Sequence, residues 1–441
     1  MFSYEVLIYA ALALLIAVVL AIYILKQKRE EKVVETKIEI AKSEGTFEPV
    51  SLHPVIDPKR CIKSGACITA CPETDVLGIK GGKAYPINAS HCIGHGACFR
   101  ACPVEAITLC IGTEKRGVDI PEVNQNFETN VPGIYVAGEL GGMGLIRNAV
   151  KQGAEAVENL AKTIRKEVVA QYDLIVVGAG PAGISAALAA KKAGLSCLLL
   201  EQDTLGGAVF TFPRRKIVMT APMVLPLYGK VNYYETDKMQ LLSLWQSVLS
   251  KNNIEVRENA KVEAISPVDQ AFEVETLQGE RYTARKVLLA IGRRGTPRKL
   301  GVPGEMSEKV AYRLLEPESV SGKKIVVVGG GDSAIESALL LADQNRVTLS
   351  YRGEAFSRIK PKNREKIDAA IKAGRVGVQF NTQLTGIEPE VVFYRKGESE
   401  ESLRWENDLV YIFAGGELPT GFLKKAGIQV STKYGEALLK H

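Results

Sequence analysis

Thiols run out early in this 441-residue chain. Seven of its eight cysteines lie between Cys61 and Cys110, and Cys197 alone follows. No redox-active C-x-x-C pair can form in that thiol-poor stretch, so disulfide exchange through such a dithiol is excluded. A secreted disulfide framework is a poor fit, because the cysteines are bunched as metal ligands are. The net charge is only +6, and Lys and Arg are scattered. No basic tract interleaves with aromatics, which argues against nucleic acid as a partner. No Lys or Arg precedes the first apolar run, and no small-x-small site follows it, as a cleaved signal peptide would need.

That run, Tyr4 to Leu25, is apolar apart from Glu5. As a helix rising ~1.5 Å per residue it matches a ~30 Å hydrocarbon core. Lys26, Lys28, Arg29 and Lys32 follow at once, which sets the C-terminal side in the cytoplasm. Residues 4–25 are therefore read as a single-pass helix in the cell membrane, with the soluble domains in the cytoplasm. Residues 26–56 are charged, lack a long apolar run and read as a linker with room for a short helix over 27–42.

Two near-copies of one cysteine pattern come next. The first is C-I-K-S-G-A-C-I-T-A-C-P, from Cys61 to Pro72; the second is C-I-G-H-G-A-C-F-R-A-C-P, from Cys92 to Pro103. A two-cluster iron–sulfur run is C-x2-C-x2-C-x3-C-P, and here its second cysteine is replaced by Ser64 and by His95. Short strand-like stretches follow each run, at 76–79, 84–87 and 106–109. Residues 57–112 thus resemble a bacterial 2[4Fe-4S] ferredoxin domain. The resemblance implies crossed ligand sets: Cys61, Cys67 and Cys102 with Ser64 at the vacant place, and Cys92, Cys98 and Cys71 with His95 there. An imidazole ligates iron and raises a cluster's potential relative to thiolate. Ser64 ligates only when deprotonated, so its cluster is Ser-ligated, hydroxide-ligated or a three-iron [3Fe-4S] centre. For His95 the alternative is a surface histidine beside a three-iron cluster. Cys110 and Cys197 sit within strands and read as packing.

Residues 172–177 (Y-D-L-I-V-V) read as a buried parallel strand leading into Gly178-Ala-Gly180-Pro181-Ala182-Gly183 and an Ala-rich helix over 184–193. A second strand, 196–200, ends at Glu201. Glycines in that context let a pyrophosphate approach a helix N-terminus, and the acid takes ribose hydroxyls. The design recurs at strand 324–328, the turn Gly329-Gly-Gly331-Asp332-Ser333-Ala334, helix 335–342 and strand 347–351. The residue equivalent to Glu201 is now Arg352. A carboxylate repels a 2′-phosphate and a guanidinium attracts one, so the first unit should hold FAD and the second NADP(H), with NAD(H) still allowed. Arg358, Lys360 and Lys362 either extend the phosphate site or form a solvated basic face.

These residues resemble the two-dinucleotide-domain flavoproteins, thioredoxin reductase and its ferredoxin–NADP reductase relatives. Gly206-Gly207, Leu289-Ala-Ile-Gly292-Arg293 and the stretch 408–419 carry the likeness. That family closes on a flavin-binding segment like T-N-V-P-G-I-Y-V-A-G-D, followed by a helix. Here that segment comes early, from Thr129 to Glu139, with a helix over 145–164. A circular permutation is the simplest reading. The resemblance implies flavin contacts for Gly138 and for Glu139, which replaces the usual Asp. Gly353 stands where NADPH-binding relatives often carry a second Arg.

The expected fold is α/β: two Rossmann-like dinucleotide-binding domains, a small α+β ferredoxin-like iron–sulfur domain and one transmembrane helix. The permuted part of the FAD domain covers 113–166, the FAD domain 170–297, the NAD(P)H domain 298–410 and a return to the FAD domain 411–441. The expected function is electron transfer among NADPH, FAD, two iron–sulfur clusters and a redox partner protein or membrane electron carrier. Hydride transfer needs no side-chain acid or base, so no catalytic side chain is assigned. The resemblance allows a homodimer. Two alternatives stand beside this: a reductase of a small substrate bound near residues 210–234, and a redox sensor without turnover.

Overall fold

The computed structural model describes residues 4–439 apart from 44–45, 50–51, 74, 93, 116, 143, 213–216, 220–221, 234, 294–296 and 357–358. The chain divides into two compact units, Met1–Arg116 with Tyr434–His441, and Gly117–Lys433.

The smaller unit begins with one unbroken helix, α1 (Tyr4–Ser43). It is long and apolar enough to cross a membrane, by length and composition. Ile8, Leu14, Leu15 and Leu25 are all more than half exposed on it. α1 runs through the first half of residues 26–56 and takes in the helix foreseen over 27–42. No Gly or Pro occurs from Lys26 to Ser43, so nothing stops the helix before Gly45. A narrow stripe faces inward at spacings of four and three: Gln27, Glu31, Val34, Ile38 and Ala41, the last two buried. The linker's last residues form β1 (His53–Ile56). This strand pairs antiparallel with β4 (Ile107–Ile111), whose other edge takes the C-terminal strand Glu436–Leu439. The chain's last residues therefore complete the cluster-bearing unit, which corrects the expected return of all of 411–441 to the FAD domain. Between β1 and β4 lie the short helix α2 (Ala66–Thr69), the hairpin β2 (Leu77–Lys80) and β3 (Lys83–Pro86), and the helix α3 (Ala97–Ala101).

The larger unit is built on two sheets. β5 (Val118–Pro121) pairs with Val430–Lys433. β6 (Ile134–Val136), helix α4 (Ile146–Ala161), β7 (Tyr172–Val177), helix α5 (Pro181–Lys192) and β8 (Cys197–Leu200) follow. The first sheet runs Val256–Arg257, β8, β7, Arg281–Leu289, Ala271–Thr276, Val262–Val268. β6 joins it parallel to Arg281–Leu289, so the early flavin-like segment is an integral strand of this sheet. α4 lies hard against α5: a Cβ on Gly153 would meet the Ala182 carbonyl at 2.1 Å. β7 is buried on both faces, as its unbroken apolar run requires.

The second sheet is parallel, in the order Val310–Ala311, Leu409–Ile412, Lys324–Val328, Arg346–Tyr351, Val376–Phe380. Leu409–Ile412 carries it just past the expected boundary at 410. Thr382–Ile387, Val391–Lys396 and Leu403–Glu406 form a three-stranded antiparallel sheet.

Candidate functional site

The two cysteine runs fold alike. Each places two left-handed residues around the position that lacks a cysteine: Lys63 (φ 62°) and Gly65 (φ 71°) flank Ser64, while Gly94 (φ 74°) and Gly96 (φ 69°) flank His95. Gly65 and Gly96 cap α2 and α3, which turn Cys67 and Cys98 inward. Surroundings then separate the two. Gly94 lies under Leu52, where a Cβ would come within 2.9 Å of the Leu52 Cβ, and no such cover lies over Gly65. Ser64 is exposed accordingly, and His95 is half-buried.

Cys61, Cys67, Cys102 and Ser64 line one cavity, walled by Ile56, Ala84 and Ile107. The Cys61 and Cys102 sulfurs accept from the backbone N–H groups of Ala84 (3.4 Å) and Ala106 (3.2 Å), contacts of the kind that tune bound clusters. Burial, then the neighbouring charges of Cys61 and Cys102, push the Cys67 thiol up. On the other side, burial with Cys92 and Cys71 nearby pushes Cys98 up to about 12, and burial pushes Cys92 up to about 11. Cys61, Cys67 and Cys102 thus neighbour one another, and Cys98 has Cys92 and Cys71 beside it. Among the described residues no three His, Cys, Asp or Glu are placed to hold a single metal ion. A cubane cluster asks for something different, since each of its thiolates binds a separate iron. The buried His95 Nε2 has no hydrogen-bond partner among the described residues. Burial, with Arg100 adding, pushes its imidazole below the ordinary histidine range, which favours the neutral form that ligates metals. These features fit iron–sulfur clusters better at the second vacancy than at the first.

In the larger unit, Gly178 (φ 103°) leaves β7 against the Ala290 carbonyl, where a Cβ would lie 2.6 Å away. Gly183 backs onto Gly178, with 1.8 Å between a would-be Cβ and the Gly178 carbonyl oxygen. Gly180, which caps α5 ahead of Pro181, faces open space. A pyrophosphate fits there, at a helix N-terminus with no side chain in the way. Glu201, 5% exposed, accepts from Ala179 N (2.7 Å) and Asp203 N (3.1 Å), so it is tied to the same loop. Gly206 donates to the Ala179 carbonyl (3.0 Å), and a Cβ on Gly207 would lie 3.3 Å from the Gly180 Cα. Gly138 is brought beside Ala182, and its N–H donates to Gln152 Oε1 (2.9 Å). Glu139 stands half-buried in the next turn, in the field of Arg293, with Asp119 also acting on that guanidinium. Gly292 (φ 66°) follows the strand Arg281–Leu289 and faces open space. Gln152, Asp119 and the charge of Glu139 acting on Arg293 have no signal in the sequence, because each meets its neighbour only through the fold.

The second turn repeats the plan. Gly329 backs onto the Phe413 carbonyl and Gly331 faces open space at the start of the helix Asp332–Leu341. Ser333 and Ala334 are in its first turn. Asp332 is engaged, accepting from Lys360 N (2.9 Å) and Asn363 Nδ2 (2.7 Å). Arg352 is exposed and makes no ion pair among the described residues. The Tyr351 ring lies against Gly330, where a Cβ would come within 2.2 Å, and against Gly353, where it would come within 2.8 Å. That ring accounts for the missing second arginine: a side chain at 353 would have to displace it. Arg358 lies outside the described residues, as do Arg214, Arg215 and Lys216. Among the described residues of 210–234, Met223–Leu225 pairs with Gly229–Val231 and Ile217–Met219 pairs with Glu235–Asp237, and Val218, Met223, Leu225 and Val231 are buried with Trp245.

Two glycine turns on two sheets, with a six-cysteine iron–sulfur unit on the same chain, define a flavin-type pyridine-nucleotide oxidoreductase carrying its own electron-transfer domain. The profile described as pyridine nucleotide-disulphide oxidoreductase matches residues 175–440, and the chain belongs to that family. A 4Fe-4S dicluster domain matches residues 53–103. Bacilliredoxin reductase Bdr of Bacillus subtilis is 29% identical over 272 residues, covering 60% of this chain and 83% of the relative. A ferredoxin–NADP reductase of Thermus thermophilus is 30% identical over 269 residues, 58% of this chain and 76% of the relative. The solved bacillithiol disulfide reductase Bdr from Staphylococcus aureus superposes with a TM-score of 0.51 at 26% identity, covering 60% of this chain and 84% of that one. The cofactors are accordingly FAD, NADP(H) and iron–sulfur clusters.

Proposed function

We propose that this flavin/iron–sulfur oxidoreductase is anchored in the cell membrane by α1 and exchanges electrons between NADP(H) and a redox partner at that membrane. What carries the reading is one combination: two crossed cysteine sets on the same chain as two dinucleotide turns, with no second thiol beyond Cys110. FAD, when bound, accepts a hydride from the nicotinamide and releases electrons singly, which suits one-electron clusters.

The chain's residues supply position and selectivity. Gly178, Gly180, Gly183, Gly206 and Gly207 clear the backbone for the FAD pyrophosphate, and Glu201 takes its ribose. Gly138 and Glu139 approach from the early segment, whose order in the chain we attribute to circular permutation. Gly329, Gly331 and the helix starting at Asp332 receive the second dinucleotide, with Arg352 on a 2′-phosphate. Cys61, Cys67 and Cys102 hold one cluster; Cys92, Cys98, Cys71 and His95 hold the other. Cys197 takes no part, since no second cysteine follows Cys110 to pair with it. A relative named ferredoxin–NADP reductase supports the assignment, the difference being that here the ferredoxin-like domain is in the same chain.

The purified full chain tests this directly. NADPH should drive reduction of a one-electron protein acceptor, and Cys61→Ser with Cys92→Ser should abolish that activity while sparing flavin reduction. Undiminished turnover in the cluster-free variant would instead support a small substrate reduced beside the flavin.

A further inference from the structure

We infer that α1 acts as a ruler, holding the Cys61, Cys67 and Cys102 set nearer the bilayer than the Cys92, Cys98 and Cys71 set. The inference rests on the membrane reading of Tyr4–Leu25 given above.

The helix continues past the apolar run without Gly or Pro and is clamped to the cluster unit at successive levels. The tip of the β2–β3 hairpin comes first: Gly81 N donates to Glu31 Oε1, about 9 Å of helix beyond Leu25. Lys80 meets Glu35 (3.7 Å), the Gly78 backbone packs on Val34, and Asp75 meets Lys37 (2.6 Å). Ile38 and Ala41 close the contact, 3% and 1% exposed.

Each ligand set hangs from a different level of this ladder. Cys61 belongs to the hairpin: Lys83 Nζ donates to its carbonyl (2.6 Å) and Ala84 N to its sulfur (3.4 Å), while Lys83 is the strand partner of Lys80. Cys92 belongs to the far end. The Ala41 carbonyl accepts from Thr46 N (2.8 Å), the Thr46 carbonyl accepts from Ser90 N (3.0 Å), and Cys92 N donates to Ala89 O (3.1 Å). The Cys92 thiol itself donates to the Leu52 carbonyl (3.5 Å). From Glu35 to Ala41 is about 9 Å along the axis. A membrane-resident electron carrier would therefore meet the first set before the second. Around that set Ser64 is exposed and Ile62 is 62% exposed, an opening the second set lacks under Leu52.

The test uses the full chain in phospholipid vesicles, with clusters reduced by dithionite so that no NADPH is involved. A gadolinium chelate on the lipid headgroup relaxes nearby paramagnets, read by electron paramagnetic resonance. Ser64→Cys and His95→Cys, each altering one cluster's signal, assign the spectra. Relaxation of the first cluster should be several-fold faster than that of the second. A flexible Gly-Ser insert between Arg29 and Glu30 should erase the difference. Equal relaxation, the reverse order, or a difference that survives the insert overturns the ruler while leaving the membrane reading intact. A chain that fails to float with the vesicles overturns both.

Discussion

The two glycine turns leave buried parallel strands in the same way and close on opposite charges in opposite settings. Glu201 is buried, tied to its loop by two backbone N–H groups, and desolvated. Arg352 is exposed at the end of its strand, with no ion-pair partner among the described residues. A buried acceptor that is already held in place suits a ligand that stays. An exposed cation, screened by water and salt, suits one that must come and go. On the assignment proposed above, the same backbone device serves a resident cofactor in one domain and a turning-over substrate in the other.

Several substitutions would break or sharpen that contrast. Gly183→Ala should have the largest effect, because its Cβ would fall 1.8 Å from a backbone oxygen. We expect a loss of about 3 kcal/mol or more, seen in thermal denaturation together with loss of bound flavin. Gly180→Ala is the control, since its Cβ meets nothing: the fold should survive and only flavin affinity should fall. Next comes Glu201→Ala, which strands two buried N–H groups and removes the ribose acceptor. Flavin affinity should drop by roughly 100-fold, measured by fluorescence titration of the apoprotein.

Glu201 also gives the contrast a pH signature. Burial raises its carboxyl above the ordinary range, opposed by the backbone N–H groups of Asp203 and Ala179. The ionised form is the better acceptor, so flavin should bind fully above that raised pKa and loosen as pH falls through it. The midpoint should lie above that of an ordinary carboxylate, and Glu201→Gln should flatten the curve. Arg352→Glu should leave flavin untouched and lower kcat/KM for NADPH by about 10- to 100-fold, with NADH much less affected. Gly353→Arg should do least. Its Cβ crowds the Tyr351 ring, so the second cation should cost about 1 kcal/mol of stability and bring little gain in NADPH preference.

Much of this was legible in the chain. Strands 172–177 and 324–328 appear at their expected bounds, because buried parallel strands advertise themselves as short apolar runs rich in Val and Ile. The helices after them begin three residues earlier than expected, at Pro181 and Asp332, because the glycine turn itself forms the first helical turn. Charge hid only that the helix over 27–42 joins the apolar run without a break. Its inward stripe starts with Gln27 and Glu31, so only Val34, Ile38 and Ala41 carry an apolar signal. The edge strand Glu436–Leu439 is too short to announce its partner, β4, far back in the chain. For the vacant cluster positions the sequence supplied Ser64 and His95, and the fold supplied what it could not: Leu52 over one loop and open solvent at the other.

Anaerobic titration of the full chain with NADPH, followed by flavin absorbance and electron paramagnetic resonance, tests the central claim most directly. Reduced-cluster signals should grow as the flavin bleaches. Flavin bleaching with silent clusters, in protein shown to contain iron and sulfide, would contradict electron exchange between the two cofactor sites.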